Sequence, residues 1–228
     1  MGVAHRSPPK IPLPRFAHLI FDLDGTLVDT RADLAAATNH VLKTFALPLL
    51  SVAQVSDYVG HGVRVLVERA LGPTHIHLVS RGLELFMEHY QAHLLDHTRA
   101  YAGIESLLAT AQARGMVLSV LTNKPEAPSR AILSGLGLAA FFTAVVGEDT
   151  LAAKKPDPQG VAYLQRLTGI ELAETLLIGD SLVDGETGRA AGVATCGVTW
   201  GFGAKELAAL PLQFLVDTPE ELRSLVLA

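Results

Sequence analysis

Short apolar runs alternate with amphipathic stretches along the chain from residue 16 onward. The apolar runs predict strands at residues 16–22, 116–121, 144–146, 175–178, 194–199 and, at one edge, 213–216. The amphipathic stretches predict helices at residues 104–114, 128–136, 158–167, 184–191 and 204–210. Strands that alternate with helices at this spacing indicate a parallel sheet covered by helices on both faces. The predicted fold class is therefore α/β.

The segment from residue 30 to residue 100 departs from this alternation, and we predict no strand within it. Its apolar positions recur with a period near that of an α-helix, as at Val63, Leu66 and Val67, which is typical of amphipathic helices. Asp29 or Thr30 is a suitable cap for the first of them. The predicted helices of this segment cover residues 32–46, 51–59, 62–71 and 76–95.

These patterns predict three parts of the chain. Residues 1–15 form an N-terminal tail, residues 16–29 and 101–228 form an α/β core, and residues 30–100 form a small helical domain inserted after the first strand. The tail contains no apolar stretch, and it contains four prolines: Pro8, Pro9, Pro12 and Pro14. We therefore expect an extended or disordered segment there rather than a signal peptide.

Composition narrows the possible partners and the compartment. The chain has 18 Lys and Arg against 23 Asp and Glu, with a formal net charge of -5, and this balance argues against nucleic acid, which is bound through clustered positive charge. No run of about 18 apolar residues predicts a membrane span. The single cysteine, Cys196, precludes an intrachain disulfide and is interpreted as a small buried side chain rather than a reactive thiol. We therefore expect a cytoplasmic protein.

Two aspartates follow the first predicted strand. Asp22 and Asp24 are separated by one residue, so in an extended chain they project to the same side. They lie at the carboxyl end of the strand, where open α/β sheets bind ligands, and Gly25 allows a sharp turn there. Close carboxylates repel one another unless a cation or a shared proton intervenes, and Mg²⁺ is the usual hard cation beside phosphate. The alternative is a turn in which the aspartates only cap the loop.

A second acidic pair follows the strand at residues 175–178. Asp180 and Asp184 are four residues apart, so the turn into the next helix brings both carboxylates toward one point. Asp180 is suited to bind a metal directly. Asp184 is suited to bind it directly or through water, or to orient the site. The alternative for Asp184 is an ordinary acidic residue at a helix N-terminus, which the helix dipole favours.

Two further loops carry candidate phosphate-binding groups. Thr122 and Asn123 follow the strand at residues 116–121, where a hydroxyl and backbone N–H groups are suited to hold phosphate oxygens. Lys155 lies in a loop before a helix, where its point charge is suited to neutralise phosphate and a nearby carboxylate. Considered singly, a loop lysine is usually only solvated. A phosphate site is indicated by the combination: these groups and the two acidic pairs follow the ends of successive predicted strands.

The combination resembles the haloacid dehalogenase superfamily. The motifs of that superfamily are Asp-x-Asp-Gly-Thr, a Ser or Thr after a strand, a lysine and a terminal acidic pair. The matching residues here are Asp22 to Thr26, Thr122, Lys155, Asp180 and Asp184. The resemblance runs from about residue 16 to the C-terminus. It implies a Rossmann-like core with a helical cap domain inserted after the first strand, which agrees with the helical segment predicted at residues 30–100.

Within that superfamily the chain is most similar to the phosphoglycolate phosphatases. The similar stretches are 60–71 in the cap, 121–125, and 154–158. The resemblance implies that Gly60, His61 and Gly62 face the substrate, together with Thr122 and Asn123. That family usually has Asn between the two cap glycines, where this chain has His61. The chain also has Ala100-Tyr101-Ala102-Gly103 where the family usually has a Pro-Tyr-Pro-Gly turn.

The mechanism implied is a pair of in-line displacements at phosphorus. Asp22 is the nucleophile and forms an aspartyl-phosphate, and Asp24 acts first as general acid and then as general base. Thr122 and Lys155 hold the phosphoryl oxygens. Mg²⁺ is held by Asp22, the backbone carbonyl of Asp24, Asp180 and Asp184. The expected enzyme is thus a Mg²⁺-dependent phosphatase of a small phosphomonoester, with 2-phosphoglycolate favoured.

Other functions remain open from the sequence. Another small phosphomonoester, such as a sugar phosphate or a nucleotide, is an alternative substrate, and a sugar phosphomutase of the same superfamily is an alternative enzyme. A haloacid dehalogenase lacks the second acid, so Asp24 argues against that activity. A non-catalytic binding module is expected to have lost a core residue, and none is lost. Oligomeric state is not predicted.

Histidines are frequent in the cap segment. His89, His93 and His97 are spaced by four residues and are predicted to share one helix face. That arrangement suits either a metal site or, as we prefer, a partly exposed face without a metal. His61 differs because it lies between two glycines in a turn, and a role in substrate binding there is left open.

Overall fold

The computed structural model describes residues 16–203, 207, 210 and 212–227. Its main sheet has six parallel strands in the order β5-β4-β1-β6-β7-β8. These strands are β1 (His18–Phe21), β4 (Val117–Leu121), β5 (Ala144–Val146), β6 (Thr175–Gly179), β7 (Ala194–Val198) and β8 (Phe214–Val216). The chain places β1 at the centre, between β4 and β6, so the carboxyl ends of these three strands are neighbours.

Helices cover both faces of this sheet. They are α5 (Ile104–Ala113), α6 (Glu126–Gly135), α7 (Gln159–Thr168), α8 (Leu182–Ala191) and α9 (Pro219–Leu227). Alternate residues of β1 enter different hydrophobic clusters: Leu19 and Phe21 pack with α5, α6 and α9, whereas Ile20 packs with α7. This alternation follows from the period of two in a strand. The predicted α/β class with a Rossmann-like core is confirmed.

The inserted segment is a separate group of helices. It contains α1 (Arg31–Thr44), α2 (Val52–Ser56), α3 (Val63–Leu71), a 3₁₀ helix (Pro73–Leu78) and α4 (Val79–Ala92). These helices share their own hydrophobic cluster, which includes Leu42, Leu66, Phe86 and Tyr90. The prediction that the fold includes a helical segment inserted after the first strand is thereby confirmed. None of the helices in the described segments combines the length and the apolar character that crossing a membrane requires.

The structure corrects the element boundaries in four places. Two-residue strands β2 (Val28–Asp29) and β3 (Arg99–Ala100) pair antiparallel where the chain leaves and re-enters the core, so the expectation of no strand between residues 30 and 100 is wrong at its end. Such short strands carry no periodic signal. The helix predicted at 76–95 begins only at Val79 and ends at Ala92, and the one predicted at 51–59 ends at Ser56. Helix α9 was not predicted, although Leu222 and Val226, four residues apart, are buried on its inner face.

Two sequence predictions concern residues outside this description. Residues 1–15, predicted as a tail, are outside it, and so is most of the helix predicted at 204–210. The exact domain boundaries at residues 29–30 and 100–101 stay a prediction.

Burial of His18 predicts acid sensitivity of the fold. His18 is fully buried in β1, and its Nε2 lies 2.9 Å from Ser119 Oγ. Burial lowers the pKa of its imidazole from 6.5 to about 4. The unfolded chain therefore takes up this proton at higher pH than the folded protein, so stability is present near neutral pH and is lost as pH falls from about 6.5 toward 4.

The free energy of unfolding of the wild-type protein should decline between about pH 7 and pH 5. In His18→Gln we expect this decline to be smaller by about 2 kcal/mol. Urea denaturation at both pH values measures that decline in the two proteins. Glutamine keeps a polar group beside Ser119 without the titration, so equal declines in both would show that His18 is not the cause.

Candidate active site

Three buried carboxylates meet at the carboxyl edge of the sheet. Asp22 follows β1, Asp180 follows β6, and Asp184 lies in the first turn of α8. A carboxylate oxygen of each lies within 4.8 Å of the others. The parallel order β1-β6 brings the first two together, and α8 turns Asp184 back toward them. Of the predicted acidic residues, these three are brought together as expected.

Lys155 provides the positive charge beside this acidic cluster. Its Nζ lies 3.0 Å from Asp22 Oδ1 and donates to Asp184 Oδ1 at 2.6 Å. The lysine is only 4% exposed. Burial opposes its charge, but Asp184 and Asp22 outweigh that effect and raise the pKa of Lys155, so the ammonium stays charged. Lys155 is thus in contact with two of the three acids, Asp22 and Asp184.

Burial raises the pKa of two of these acids. Burial raises the pKa of Asp22 to about 6, against the lowering effect of Lys155. Burial, and after it the charges of Asp22 and Asp184, raise the pKa of Asp180 to about 7. One lysine therefore does not balance three carboxylates, and a further cation would stabilise the charged forms.

The local backbone leaves room for such a cation and holds the acids in place. Gly25 has φ +86°, and a Cβ there would lie 2.3 Å from Asp180 Oδ2, so a side chain would fill the approach to that carboxylate. Thr26 Oγ1 donates to Asp180 Oδ1 at 3.0 Å, and Phe202 N donates to Oδ2 at 2.6 Å. A set of three fixed carboxylate oxygens is the donor chemistry that Mg²⁺ prefers. The residues present therefore fit this ion.

Asp24 lies beside this cluster but turns its carboxylate elsewhere. Lys124 Nζ donates to both of its oxygens, at 3.1 and 3.0 Å, and Thr30 Oγ1 donates to Oδ1 at 2.8 Å. Its carboxylate is thus not one of the three clustered acids. Asp22 and Asp24 line the same clefts, but the carboxylate of Asp24 is paired with Lys124 rather than placed among the three clustered acids.

The loop after β4 connects the core to the cap segment. Thr122 is buried and its Oγ1 accepts from Lys124 N at 3.2 Å. Asn123 Nδ2 donates to the backbone oxygens of Gly60 at 2.9 Å and of Lys155 at 3.0 Å. Asn123 therefore contacts the predicted substrate loop and the loop of Lys155 through one amide group. This contact makes Asn123 a link between cap and core in this structure.

The loop Gly60-His61-Gly62 closes over the site from the cap. Lys154 Nζ donates to His61 O at 3.0 Å and to Glu148 Oε2 at 2.8 Å. Gly62 has φ +92°, and a Cβ there would lie 2.3 Å from Glu148 Oε2, which explains why a residue without a side chain is present. The His61 side chain is exposed and lines a cleft that also contains Asp22 and Asp24.

The histidine series in the cap does not share a helix face. Helix α4 ends at Ala92, so His93 follows its end and His97 lies in the next loop, where its backbone N donates to Asp33. His89 instead stacks between His40 and His93, at 4.4 Å from each ring centroid. Stacked rings do not point their nitrogens at one point, so these described residues form no metal-binding cluster. The prediction of one face failed because the helix is shorter than its pattern indicated.

Sequence reasoning missed Lys124 and Tyr90. Lys124 is buried, pairs with Asp24, and its Nζ lies 4.6 Å from the ring centroid of Tyr90 in the cap helix α4. The signal available was the position of Lys124, two residues after Thr122 at the same strand end. Tyr90 had no comparable signal because it reads as an apolar position of an amphipathic helix.

Comparison with known proteins agrees with this geometry. A family model described as haloacid dehalogenase-like hydrolase matches residues 19–198. A phosphoglycolate phosphatase from Mesorhizobium japonicum is 38% identical over 188 residues, covering 81% of this chain and 83% of its own length. Another, from Colwellia psychrerythraea, is 35% identical over 212 residues, covering 90% and 94%. The crystal structure of a predicted phosphoglycolate phosphatase from Haemophilus somnus 129pt has a TM-score of 0.87 at 29% identity, covering 92% and 97%.

Fold, acidic site and relatives together define an enzyme of the hydrolase class, and the predicted class of phosphatase is confirmed. The chain belongs to the haloacid dehalogenase-like hydrolase family. The predicted similarity to the phosphoglycolate phosphatases within it is confirmed as a similarity.

Proposed function

We propose that this enzyme hydrolyses 2-phosphoglycolate to glycolate and phosphate, with Mg²⁺, through an aspartyl-phosphate on Asp22. The observation that carries the proposal is the buried group of Asp22, Asp180 and Asp184 in contact with Lys155 at the carboxyl edge of the sheet. The printed names of the relatives support the substrate.

Mg²⁺ would be held by Asp22, Asp180, the backbone carbonyl of Asp24, and Asp184 either directly or through water. When bound, the ion supplies positive charge between the nucleophile and the phosphoryl group. The close approach of three buried carboxylates supports this assignment, because one oxygen of each of Asp22, Asp180 and Asp184 lies within 4.8 Å of the others and Mg²⁺ prefers oxygen ligands.

In the first step an oxygen of Asp22 attacks phosphorus, and the ester P–O bond breaks with its electrons passing to the leaving oxygen. That oxygen takes a proton from Asp24 and leaves as the hydroxyl of glycolate. Lys155 and Thr122 hold the phosphoryl oxygens as charge spreads over them. Lys155 is held for this task by its contact with Asp22 at 3.0 Å.

In the second step a water attacks phosphorus and gives its proton to Asp24, and the bond between phosphorus and Asp22 breaks. Asp24 must therefore be a carboxylate at this stage. The hydrogen bonds from Lys124 and Thr30 to Asp24 suit that form. Phosphate then leaves with Asp22 restored.

The inserted helices would act as a cap domain over the core, with boundaries at residues 30 and 100 and the core formed by residues 16–29 and 101–228. Asn123 and Lys154 contact the backbone of the Gly60-His61-Gly62 loop, which supports a role of that loop in closing the site and contacting the leaving group. With this function we expect a cytoplasmic enzyme whose partner is a small phosphorylated metabolite, without nucleic acid or a membrane as a partner.

We expect phosphate release from 2-phosphoglycolate to exceed that from sugar phosphates and nucleotides, and to stop when Mg²⁺ is removed. Chelation removes the charge that shields Asp22 from the phosphoryl group, so the loss should reverse on adding Mg²⁺ back. Release of inorganic phosphate across such a panel, with Mg²⁺ and with chelator, measures both points. Mg²⁺-dependent release that favours another ester would discard the substrate. Transfer within a sugar phosphate, with no phosphate released, would indicate a phosphomutase.

A further inference from the structure

Lys124 carries a buried charge that the proposed reaction does not yet use on the substrate. It lies in the loop after β4 and lines a cleft between core and cap, together with Asp22, Asp24 and Thr122. Among the described residues that line this cleft, Lys124 is the only one with a positive charge. The cap side of the cleft is apolar and consists mainly of Leu34, Val63, Leu66, Phe86 and Met87.

Lys124 is held as a charged group despite its burial. Its Nζ donates to both carboxylate oxygens of Asp24, at 3.1 and 3.0 Å, and this ion pair favours the ammonium form. An ammonium has three donors, and its contacts with the two oxygens of Asp24 leave at least one for another acceptor. The lysine can therefore hold Asp24 and bind a second anion together.

Tyr90 presents a second free polar group at the same place. Its side chain is 2% exposed and lines the same cleft. Within the described part of the chain, Tyr90 Oη makes no hydrogen bond of acceptable geometry. Lys124 Nζ lies 4.6 Å from the centroid of the Tyr90 ring and interacts with its phenol group. A buried hydroxyl without a partner is costly and is usually satisfied by water or a ligand.

We infer that Lys124 and Tyr90 form the subsite for a carboxylate on the leaving group of the substrate, and so determine specificity. The inference rests on the proposed function and names the residues that would select its substrate. A carboxylate entering an apolar cleft needs a charged partner and hydrogen-bond donors, and Lys124 Nζ with Tyr90 Oη supplies them. Both line the cleft that also contains Asp22 and Asp24.

A second cleft also reaches Asp22 and Asp24, and it contains a positive charge, Arg69. Arg69 is exposed, and the same cleft is lined by the exposed His61 and the acid Asp57. Water therefore competes with a carboxylate for both Arg69 and His61. This contrast favours Lys124 over Arg69 and makes Arg69 a suitable control.

The test compares 2-phosphoglycolate with ethyl phosphate, in which a methyl group replaces the carboxylate. The readout is the ratio of kcat/KM for the two esters, because an effect of Lys124 through Asp24 lowers both values and cancels in the ratio. We expect Lys124→Met to lower the ratio by about 10- to 100-fold, the value of a hydrogen bond to a charged group. Tyr90→Phe should lower it by about threefold to tenfold, and Arg69→Met should leave it within about twofold, as expected of an exposed charge.

The outcomes separate the inference from the proposed function. If the wild-type enzyme releases phosphate from neither ester, the proposed function fails and the inference fails with it. If the wild-type enzyme is active and the ratio is unchanged in Lys124→Met, the inference alone is overturned. If Lys124→Met does not fold, the other two variants decide. An unchanged ratio in Tyr90→Phe, or a fall in Arg69→Met as large as that in Tyr90→Phe, overturns the inference.

Discussion

Replacing Asp22 by asparagine is expected to lower phosphate release by at least about a thousandfold, as loss of a nucleophile does. The amide cannot attack phosphorus, whereas its size matches the carboxyl group. The fold should survive, because Lys155 keeps its contact with Asp184 at 2.6 Å when Asp22 loses its charge. Initial rates with saturating Mg²⁺ and the thermal midpoint of unfolding measure the two effects separately.

Asp96→Asn is the matched control for that variant. Asp96 is an exposed acid of the cap segment that pairs only with His93 among the described residues, so its neutralisation should change the rate by less than about twofold. A similar loss of rate in both variants would indicate an effect of net charge. An Asp22→Asn enzyme that retained a tenth of the wild-type rate would exclude Asp22 as the nucleophile.

Replacing Lys155 by methionine is expected to lower both stability and activity. Removing one partner of a buried ion pair costs about 3–5 kcal/mol, and Lys155 is the partner of two buried acids, Asp22 and Asp184. The free energy of unfolding should therefore fall by about that amount in the absence of metal. Addition of Mg²⁺ should recover part of the loss, because the ion places positive charge among the same carboxylates. Urea denaturation with and without Mg²⁺ tests both statements.

The neighbouring Lys154 is the control. Its side chain is 39% exposed and pairs with Glu148, so Lys154→Met should cost less than about 1 kcal/mol. We expect Lys155→Met also to reduce kcat/KM by about a hundredfold or more, as loss of a donor to developing phosphoryl charge does. Equal stabilities of the two variants would mean that Lys155 does not neutralise the acidic cluster.

The positions of three site residues could be predicted because they follow from two simple rules. A short apolar run predicts a buried parallel strand, and the carboxyl ends of neighbouring parallel strands meet at one edge. Asp22, Thr122 and Asp180 each follow such a run, and β1 lies between β4 and β6. These three residues could therefore be predicted to lie near one another without knowledge of any side-chain rotamer.

The same rules do not predict the direction in which a side chain points. The spacing of Asp22 and Asp24 predicted one acidic group, but the chain turns at Gly25 and Asp24 pairs with Lys124, a residue distant in sequence. The Lys124–Tyr90 contact joins core to cap and depends on how the two pack, which no local pattern records. Likewise, the pairing of β2 with β3 involves two residues on each side, too few to give a hydrophobic period.

The most direct test of a covalent reaction at Asp22 is trapping of the phosphoenzyme. Enzyme mixed with 2-phosphoglycolate and Mg²⁺ is quenched in acid within one turnover, digested and analysed by mass spectrometry. The account predicts a phosphoryl group on the peptide that contains Asp22, absent after chelation and absent from Asp22→Asn. Phosphate release at the normal rate with no phosphoryl group on Asp22, or with the group on another residue, would contradict it.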